Sequence, residues 1–326
     1  MKNFGRTGWR ILGLALALVA LPAGAQWIPT KPMRLVSPYA AGGTNDLLAR
    51  LLAQKMSERL GQTIIVENRS GANGIIGSDN IGKAPADGSA LLMGNSATHG
   101  INPSLYPKLP YNAVSDFTPI GLMATVPLIL VVSASLPVSN VKELIALAKA
   151  KPRSISVASP GAGSSPHIAS ELFRTAAGID TVHIPYKGDS PALADVLGGQ
   201  VTMMFANMPS ALPFVQAGKL KALAMTGTRR TSAAPDIPTM VEAGVSGVDI
   251  SSWYGLMAPG NLPVDVAARL DAEFVAVMKL PEVQQRIRQL GAEPAMDGSR
   301  EQFQRFVQSE LDKYARVIKA AGIQVE

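Results

Sequence analysis

The sequence predicts an α/β protein of two lobes with a ligand cleft between them. Three observations carry that prediction. Short β-rich runs alternate with helical patterns from residue 33 onward, the order expected of parallel sheets covered by helices. Several of those runs, PLILVVSA (127–134) above all, are almost continuously apolar, as strands buried on both faces are. A glycine-rich loop follows a strand and opens a helix once in each half of the chain, at 39–46 and again at 159–167.

In order, MRLVSPY (33–39) reads as a strand. The segment 44–60 reads as a helix, with Leu47, Leu48, Leu51, Leu52 and Met56 on one face and Gly61 as its stop. Strands follow at 63–68, 89–95 and 127–134. A helix at 141–150 ends at Lys151-Pro152. SISVASP (154–160) is a strand, 165–177 a helix, 181–186 a strand, 191–198 a short helix and 200–207 a strand. LKALAMTG (220–227) and SSWYGLMAP (251–259) complete the strands, and 264–279, 281–290 and 300–321 are helices. No repeat of solenoid length recurs.

Two proline-rich stretches read as connections between lobes. One is 107–127, with Pro107, Pro110, Pro119 and Pro127 and with Pro103 just upstream; the other is RRTSAAPDIPTM (229–240). The polar-faced C-terminal helices are expected to wrap back on the first lobe. Residues 26–124 and 230–326 then form lobe 1, and 125–229 form lobe 2.

The N-terminus is read as a leader rather than as part of the fold. Lys2, Arg6 and Arg10 precede an apolar run from Ile11 to Leu21, and Ala23-Gly24-Ala25 supplies a small-x-small cleavage signal. That run is shorter than the roughly 20 residues of a membrane span. The expectation is a Sec-type signal peptide over 1–25, cleaved after Ala25, and a periplasmic mature chain.

Composition narrows the function. Hydrophobic residues make up 47% of the 326 and charged residues 17%, enough apolar material for two cores. The formal net charge is +6, and losing the three leader cations leaves +3. There is no basic stripe interleaved with aromatics, so nucleic acid is not an expected partner. The absence of cysteine excludes a disulfide framework, thiol chemistry and Cys-based metal sites. No HExxH, His-x-x-x-His or calcium-loop spacing supports a metal, and no cofactor is implied.

The loop Tyr39-Ala40-Ala41-Gly42-Gly43-Thr44-Asn45-Asp46 lies where a strand's carboxyl end meets a helix, the usual ligand position in open α/β sheets. Gly42 and Gly43 permit a tight turn, and the helix's first N–H groups together with its dipole favour an anionic or carbonyl oxygen. Thr44 or Asn45 serves either as helix cap or as ligand contact. The loop Ser159-Pro160-Gly161-Ala162-Gly163-Ser164-Ser165-Pro166-His167 repeats the arrangement, and Ala162, Gly163, Ser164 and Ser165 can surround oxygens without formal charge. It is no P-loop, no dinucleotide fingerprint and no hydrolase elbow. The loop Gly94–Gly100, with Ser96 and Thr98, and Asn207 at the end of QVTMMFAN are further strand-end candidates, each also readable as ordinary turn chemistry. Lys187 in YKGD could meet an anion or solvent. Of the three histidines, His183 reads as structural. His99 and His167 fall in site-like loops, which leaves open a hydrolase built on Ser164 or Ser165 with His167 or His99.

Longer stretches carry a family likeness. WIPTKPMRLVSPYAAGGTNDLLARLLAQKMSERLGQTIIVENRSGANGIIG, NPSLYPKLPYNAVSDFTPIGLMA, ASPGAGSSPHIASELF, VHIPYKGDSPALADVLGGQVTMMF, GKLKALAMTGTRR, PDIPTMVEAG and WYGLMAPGNLP occur in family order, through to the closing AAGIQVE. The mature chain resembles the Bug/TctC family of extracytoplasmic solute-binding proteins of tripartite tricarboxylate transporters. The resemblance implies a type II periplasmic-binding-protein fold with two crossover segments, whose lobes close on a small organic acid. It also implies a non-enzymatic monomer that presents its ligand to the transporter's membrane components or to a sensor ectodomain.

The ligand set it implies is Tyr39, Ala41, Gly42, Gly43, Thr44, Asp46, Ser96, Thr98, Ser159, Ala162, Gly163, Ser164, Ser165, His167 and Asn207. In the family, carboxylates are held by backbone N–H groups, hydroxyls and waters rather than by an Arg clamp, and neither loop here contains Lys or Arg. Three departures stand out: Ala41-Gly42-Gly43 where Pro-Gly-Gly is usual, Gly88-Ser89-Ala90-Leu91-Leu92 where Gly-Tyr-Thr-Leu-Leu is usual, and Ala206 where a polar or acidic residue often precedes Asn207.

Overall fold

A computed structural model describes residues 27–296 and 299–324; the expected leader lies outside them. Ten strands and ten α-helices are found among these residues. In chain order they are β1 (Met33–Ser37), α1 (Thr44–Leu60), β2 (Ile64–Asn68), α2 (Ile75–Gly82), β3 (Ala90–Asn95), α3 (Asn102–Leu105), β4 (Phe117–Ser133), α4 (Val141–Ala150), β5 (Ile155–Ser159) and α5 (Ser165–Ala177). Then come β6 (Thr181–Pro185), α6 (Asp189–Leu197), β7 (Met203–Asn207), α7 (Met208–Gln216), β8 (Leu220–Met225), β9 (Ser251–Pro259), α8 (Val264–Met278), α9 (Pro281–Gln289), β10 (Glu293–Pro294) and α10 (Arg300–Ala321).

The strands form one curled sheet in the order β2-β1-β3-β9-β4-β7-β5-β6, with β8 and β10 also paired to β4. Its first half is β2, β1, β3 and β9, and its second half is β7, β5, β6 and β8. The halves are joined by β4, which pairs β9 from Phe117 to Pro127 and then β7 and β8 from Leu128 onward. Each half keeps the expected parallel pairs, β1 with β2 and β3, and β5 with β6 and β7. The sheet as a whole is mixed rather than parallel. Strand β9 returns beside β4 and so runs antiparallel both to it and to β3.

The sequence reading places the central strand at 127–134 and takes the proline-rich stretch 107–127 as a connection, whereas β4 begins at Phe117. The strand accommodates Pro119 and Pro127 without a buried break. Register shifts lie between Pro119 and Gly121 and between Leu122 and Ala124, and Pro127 sits where the strand changes partner. These are places where a missing N–H costs no ladder bond. Helices α2, α3 and α7 were not expected. The last hides behind its prolines, with Pro209 in the first turn and Pro213 inside. The expected strand at 200–207 begins only at Met203.

Each half buries helices on its sheet. Leu48, Leu52 and Met56 of α1 pack with Leu270 and Phe274 of α8 and Ile287 of α9. Ile168 and Phe173 of α5 pack with Leu144 of α4 and Phe205 of β7. The helices end where local chemistry dictates. Gly61 and Gly178 take left-handed C-caps, and Asn140 accepts a bond from the Glu143 N–H while Glu143 accepts one from Ser139, a reciprocal cap. Helix α10 does not wrap on the first half alone. Phe303 and Val307 pack on Trp253 and Met257, whereas Tyr314 and Ile318 join the core of the second half, so this helix straps the two together.

Candidate functional site

The carboxyl ends of β1, β3, β5 and β7 converge between the halves. There they enclose a cavity of about 20 Å³, room for roughly one water molecule. Of the residues singled out from sequence, Tyr39, Gly43, Asn45, Ser96, Ser164, Ser165 and Asn207 line it, together with Asn95, Asp189 and Tyr254. Among the described residues, no Lys, Arg or His does.

Two helix starts face this space. Helix α1 has Gly43 at its N-cap position, without a side-chain cap of its own. Neither Thr44 nor Asn45 caps it. The Thr44 N–H is instead met from the other half of the molecule, donating to Asp189 Oδ2 at 3.1 Å. The Asn45 amide points back into its own half and donates to the Met93 carbonyl at 2.9 Å. Helix α5 is capped conventionally, Ser164 Oγ accepting the His167 N–H at 3.3 Å. The Ser165 hydroxyl crosses the cleft to Ser96 Oγ at 2.7 Å. Ser190 Oγ donates to the Ala41 carbonyl at 2.8 Å, and the Ala40 N–H donates to Lys187 O at 3.0 Å, so the halves touch directly along the cleft mouth.

The remaining residues of the expected set stand behind this lining. Gly42 holds φ +79, a left-handed turn open to glycine, and donates its N–H to Asp46 Oδ2 at 3.0 Å. Asp46 is buried beneath the loop, where it also accepts from Asn68 and pairs with Arg50. Burial alone would raise its pKa, but the bonds from Arg50, Gly42 and Asn68 outweigh that and hold the carboxyl below its ordinary value of 3.8. Thr98 and Asn95 exchange hydrogen bonds that shape the third loop. Ser159 is fully buried and bonds the Gly161 backbone and His183 Nε2, which fixes the second loop. The Ala162 carbonyl accepts from the Tyr106 hydroxyl, and the Gly163 N–H donates to His167 Nδ1. Lys187 presents its side chain to solvent.

Neither hydroxyl proposed for a hydrolase meets a histidine ring. His167 is turned toward Gly163 and stacks on His183 with ring centroids 3.9 Å apart. His99 is fully buried against Phe117 and Tyr111, and its Nδ1 bonds to Thr98. Burial pushes the pKa of His99 down to about 3 and that of His167 to about 4, so both rings are neutral over the physiological range.

Besides Tyr254, both Asp189 and Asn73 escaped the sequence reading. Asp189 begins α6, is 5% exposed, and accepts from Thr44 N and from Asn207 Nδ2, with burial raising its pKa. Asn73, at φ +49, packs against Gly161 and joins Tyr39 to Asn102. In the fragment YKGD the residue singled out was Lys187 rather than Asp189, and nothing local distinguished Asn73.

A curled, strap-joined sheet with facing helix starts defines a two-lobed solute-binding protein. The chain belongs to the family described as the tripartite tricarboxylate transporter family receptor (TctC), whose sequence pattern matches residues 48–323. Among solved structures it resembles Rpa4515 of R. palustris with adipate, at 37% identity and a TM-score of 0.88, covering 91% of this chain and 99% of that one. It resembles the periplasmic binding protein BugD at 35% identity and a TM-score of 0.88, covering 91% and 100%. It also resembles MatC of Rhodopseudomonas palustris with bound malate, at 31% identity and a TM-score of 0.84, covering 89% and 100%.

Proposed function

We propose that this chain is a periplasmic receptor that captures a small organic acid between its lobes and delivers it to the membrane components of a tripartite-type transporter. The observation that carries the reading is the pair of helix N-termini, α1 and α5, facing one another across a cleft lined without cationic side chains. Backbone N–H groups and serine hydroxyls at such positions bind a carboxylate at roughly 1.5–3 kcal/mol per charged hydrogen bond, so a few reach the ~8 kcal/mol of a micromolar complex. The adipate and malate held by the two similar proteins support an acid as the ligand class.

In this reading the half built on β2, β1, β3 and β9 moves against the half built on β7, β5, β6 and β8, hinging where β4 changes partner. The direct contacts at the cleft mouth part to admit a ligand larger than one water and re-form over it. The receptor catalyses nothing in this reading: the Ser164 hydroxyl is committed to the His167 backbone N–H and the Ser165 hydroxyl to Ser96, and neither meets a histidine ring. It acts as a monomer.

The test is thermal unfolding of the purified protein with a panel of mono- and dicarboxylates, followed by recovery of the ligand. At about a hundredfold excess over Kd a true ligand stabilises by ~2.7 kcal/mol. It is recovered unchanged. Turnover of an ester or amide that vanishes in Ser164→Ala, or no shift with any acid, overturns the reading. Sequencing the N-terminus of periplasmic material should find Gln26 first.

A further inference from the structure

One wall of the cleft carries more acceptors than the protein can use. Asp189 is buried, and no cation touches it. The Thr44 N–H donates to it at 3.1 Å and the Asn207 amide at 3.0 and 3.3 Å, and the Thr44 and Ser210 hydroxyls are near enough to favour its charged form. Because Asn207 turns its Nδ2 to Asp189, its Oδ1 is left the other way, buried and without a partner. Asn45 repeats the situation: its Nδ2 is committed to the Met93 carbonyl, and its Oδ1 is likewise buried and unpartnered. Asn207 is 3% exposed and Asn45 2%, and both line the same cavity as Asp189.

The orientation of both amides is fixed by what their Nδ2 groups donate to, so what each amide has to spare is an acceptor and not a donor; the buried Thr44 hydroxyl, which can do either, is also without a hydrogen-bond partner. An unpaired buried acceptor costs about 1–3 kcal/mol, and a second carboxylate placed beside Asp189 adds like-charge repulsion in a site shielded from water. A plain diacid relieves neither. A ligand bearing N–H groups relieves both.

Resting on the reading of this cleft as an organic-acid site, we propose that it selects acids that also carry a nitrogen donor. One end of the ligand, a carboxylate, is held at the Ser165 and Ser96 side. The other end, an ammonium or a primary amide, docks on the acceptor wall of Asp189, Asn207 and Asn45. The ammonium is the stronger of the two because it also neutralises Asp189.

The experiment is isothermal titration of the wild-type mature chain with three acids of matched length: a diacid (succinate), its monoamide (succinamate) and its amine counterpart (4-aminobutyrate), with longer homologues in parallel. The wild type should bind the amine and amide members at least about tenfold more tightly than the diacid. Asp189→Asn should erase the preference for the amine and strengthen diacid binding by about tenfold. The Asn207 amide can turn over to satisfy the new side chain. Circular dichroism and the melting temperature report whether that variant folds, and the wild-type ranking tests the proposal without it.

Equal or tighter binding of the diacid by the wild type overturns this inference while leaving the receptor reading intact. An unchanged amine-to-diacid ratio in folded Asp189→Asn does the same. If none of the acids, with or without nitrogen, binds, both readings fall.

Discussion

Replacing Asp46 by alanine isolates what holds the first cleft loop in shape. The carboxylate is buried and joins three parts of its lobe: the Gly42 N–H at 3.0 Å, the Asn68 amide at 2.9 Å and the Arg50 guanidinium at 3.0 Å. Taken singly, hydrogen bonds to a charged group are worth about 1.5–3 kcal/mol each, which would sum to as much as ~9 kcal/mol. That sum is too large here, because all three donors can return to water. The Arg50 side chain is 54% exposed, and Asn68 and Gly42 lie at the surface. A net loss of about 2–3 kcal/mol is expected at neutral pH.

The pH dependence sharpens this prediction. A carboxyl held below its ordinary 3.8 contributes stability that is fully present above that value and is lost as pH falls through the lower, folded-state value. The gap between wild type and Asp46→Ala should therefore be constant near neutrality and shrink in strong acid. Urea denaturation across pH measures both quantities. A difference under about 0.5 kcal/mol at neutral pH, or one that survives unchanged into strong acid, refutes the bracing role.

Three further outcomes are expected. His99, His167 and His183 are held neutral by burial, with pKa values near 3, 4 and 3 against an ordinary 6.5. The unfolded chain therefore takes up protons first, and stability should fall as pH drops below about 6.5, by up to ~1.4 kcal/mol per unit for each ring; flat urea midpoints from about pH 7 to about pH 5 would contradict this. Gly255→Ala would place a methyl group against the Phe303 ring and 2.9 Å from the Gly121 carbonyl, where β9, β4 and α10 meet. Overpacking there should cost about 1–3 kcal/mol in chemical denaturation. Ser165→Ala removes the hydroxyl that reaches Ser96 and should weaken binding of whichever acid the wild type takes by about tenfold, whereas Ser156→Ala, remote on β5 and bonded to Thr202, should leave the Kd where it was.

What could be read from sequence follows how local each feature is. The loops at Tyr39–Asp46 and Ser159–His167 announced themselves because a strand, a glycine pair and a helix start are contiguous in the chain. The same is true of Ser96 and of Asn207, each at a strand's end. Asp189 did not stand out, because its partner Thr44 is 145 residues away and only the fold brings them together. Tyr254 lines the cavity from inside an apolar strand, where it read as ordinary core. The full length of β4 was obscured by prolines that local rules treat as breakers. Pro119 instead borders a register shift and Pro127 the change of partner. The strapping role of α10 rests on which face meets which half, and a helical stripe alone does not say that.

The contact between Thr44 and Asp189 decides how the cleft can be used. In an isolated helix the first N–H groups are free to take an anion, and that freedom is why helix starts bind carboxylates. Here one of them already holds a carboxylate supplied by the opposite lobe. A ligand that offers its own carboxylate to α1 must displace Asp189 and strip that buried group of its backbone contact, leaving it to side chains such as the Asn207 amide. Its binding energy is then a difference between two similar anion contacts, to which like-charge repulsion is added. A ligand that offers N–H groups leaves the Thr44 contact in place and adds to it. The same two lobes can therefore close in the same way over either kind of guest, yet only the second adds its contacts to a bridge that is already made.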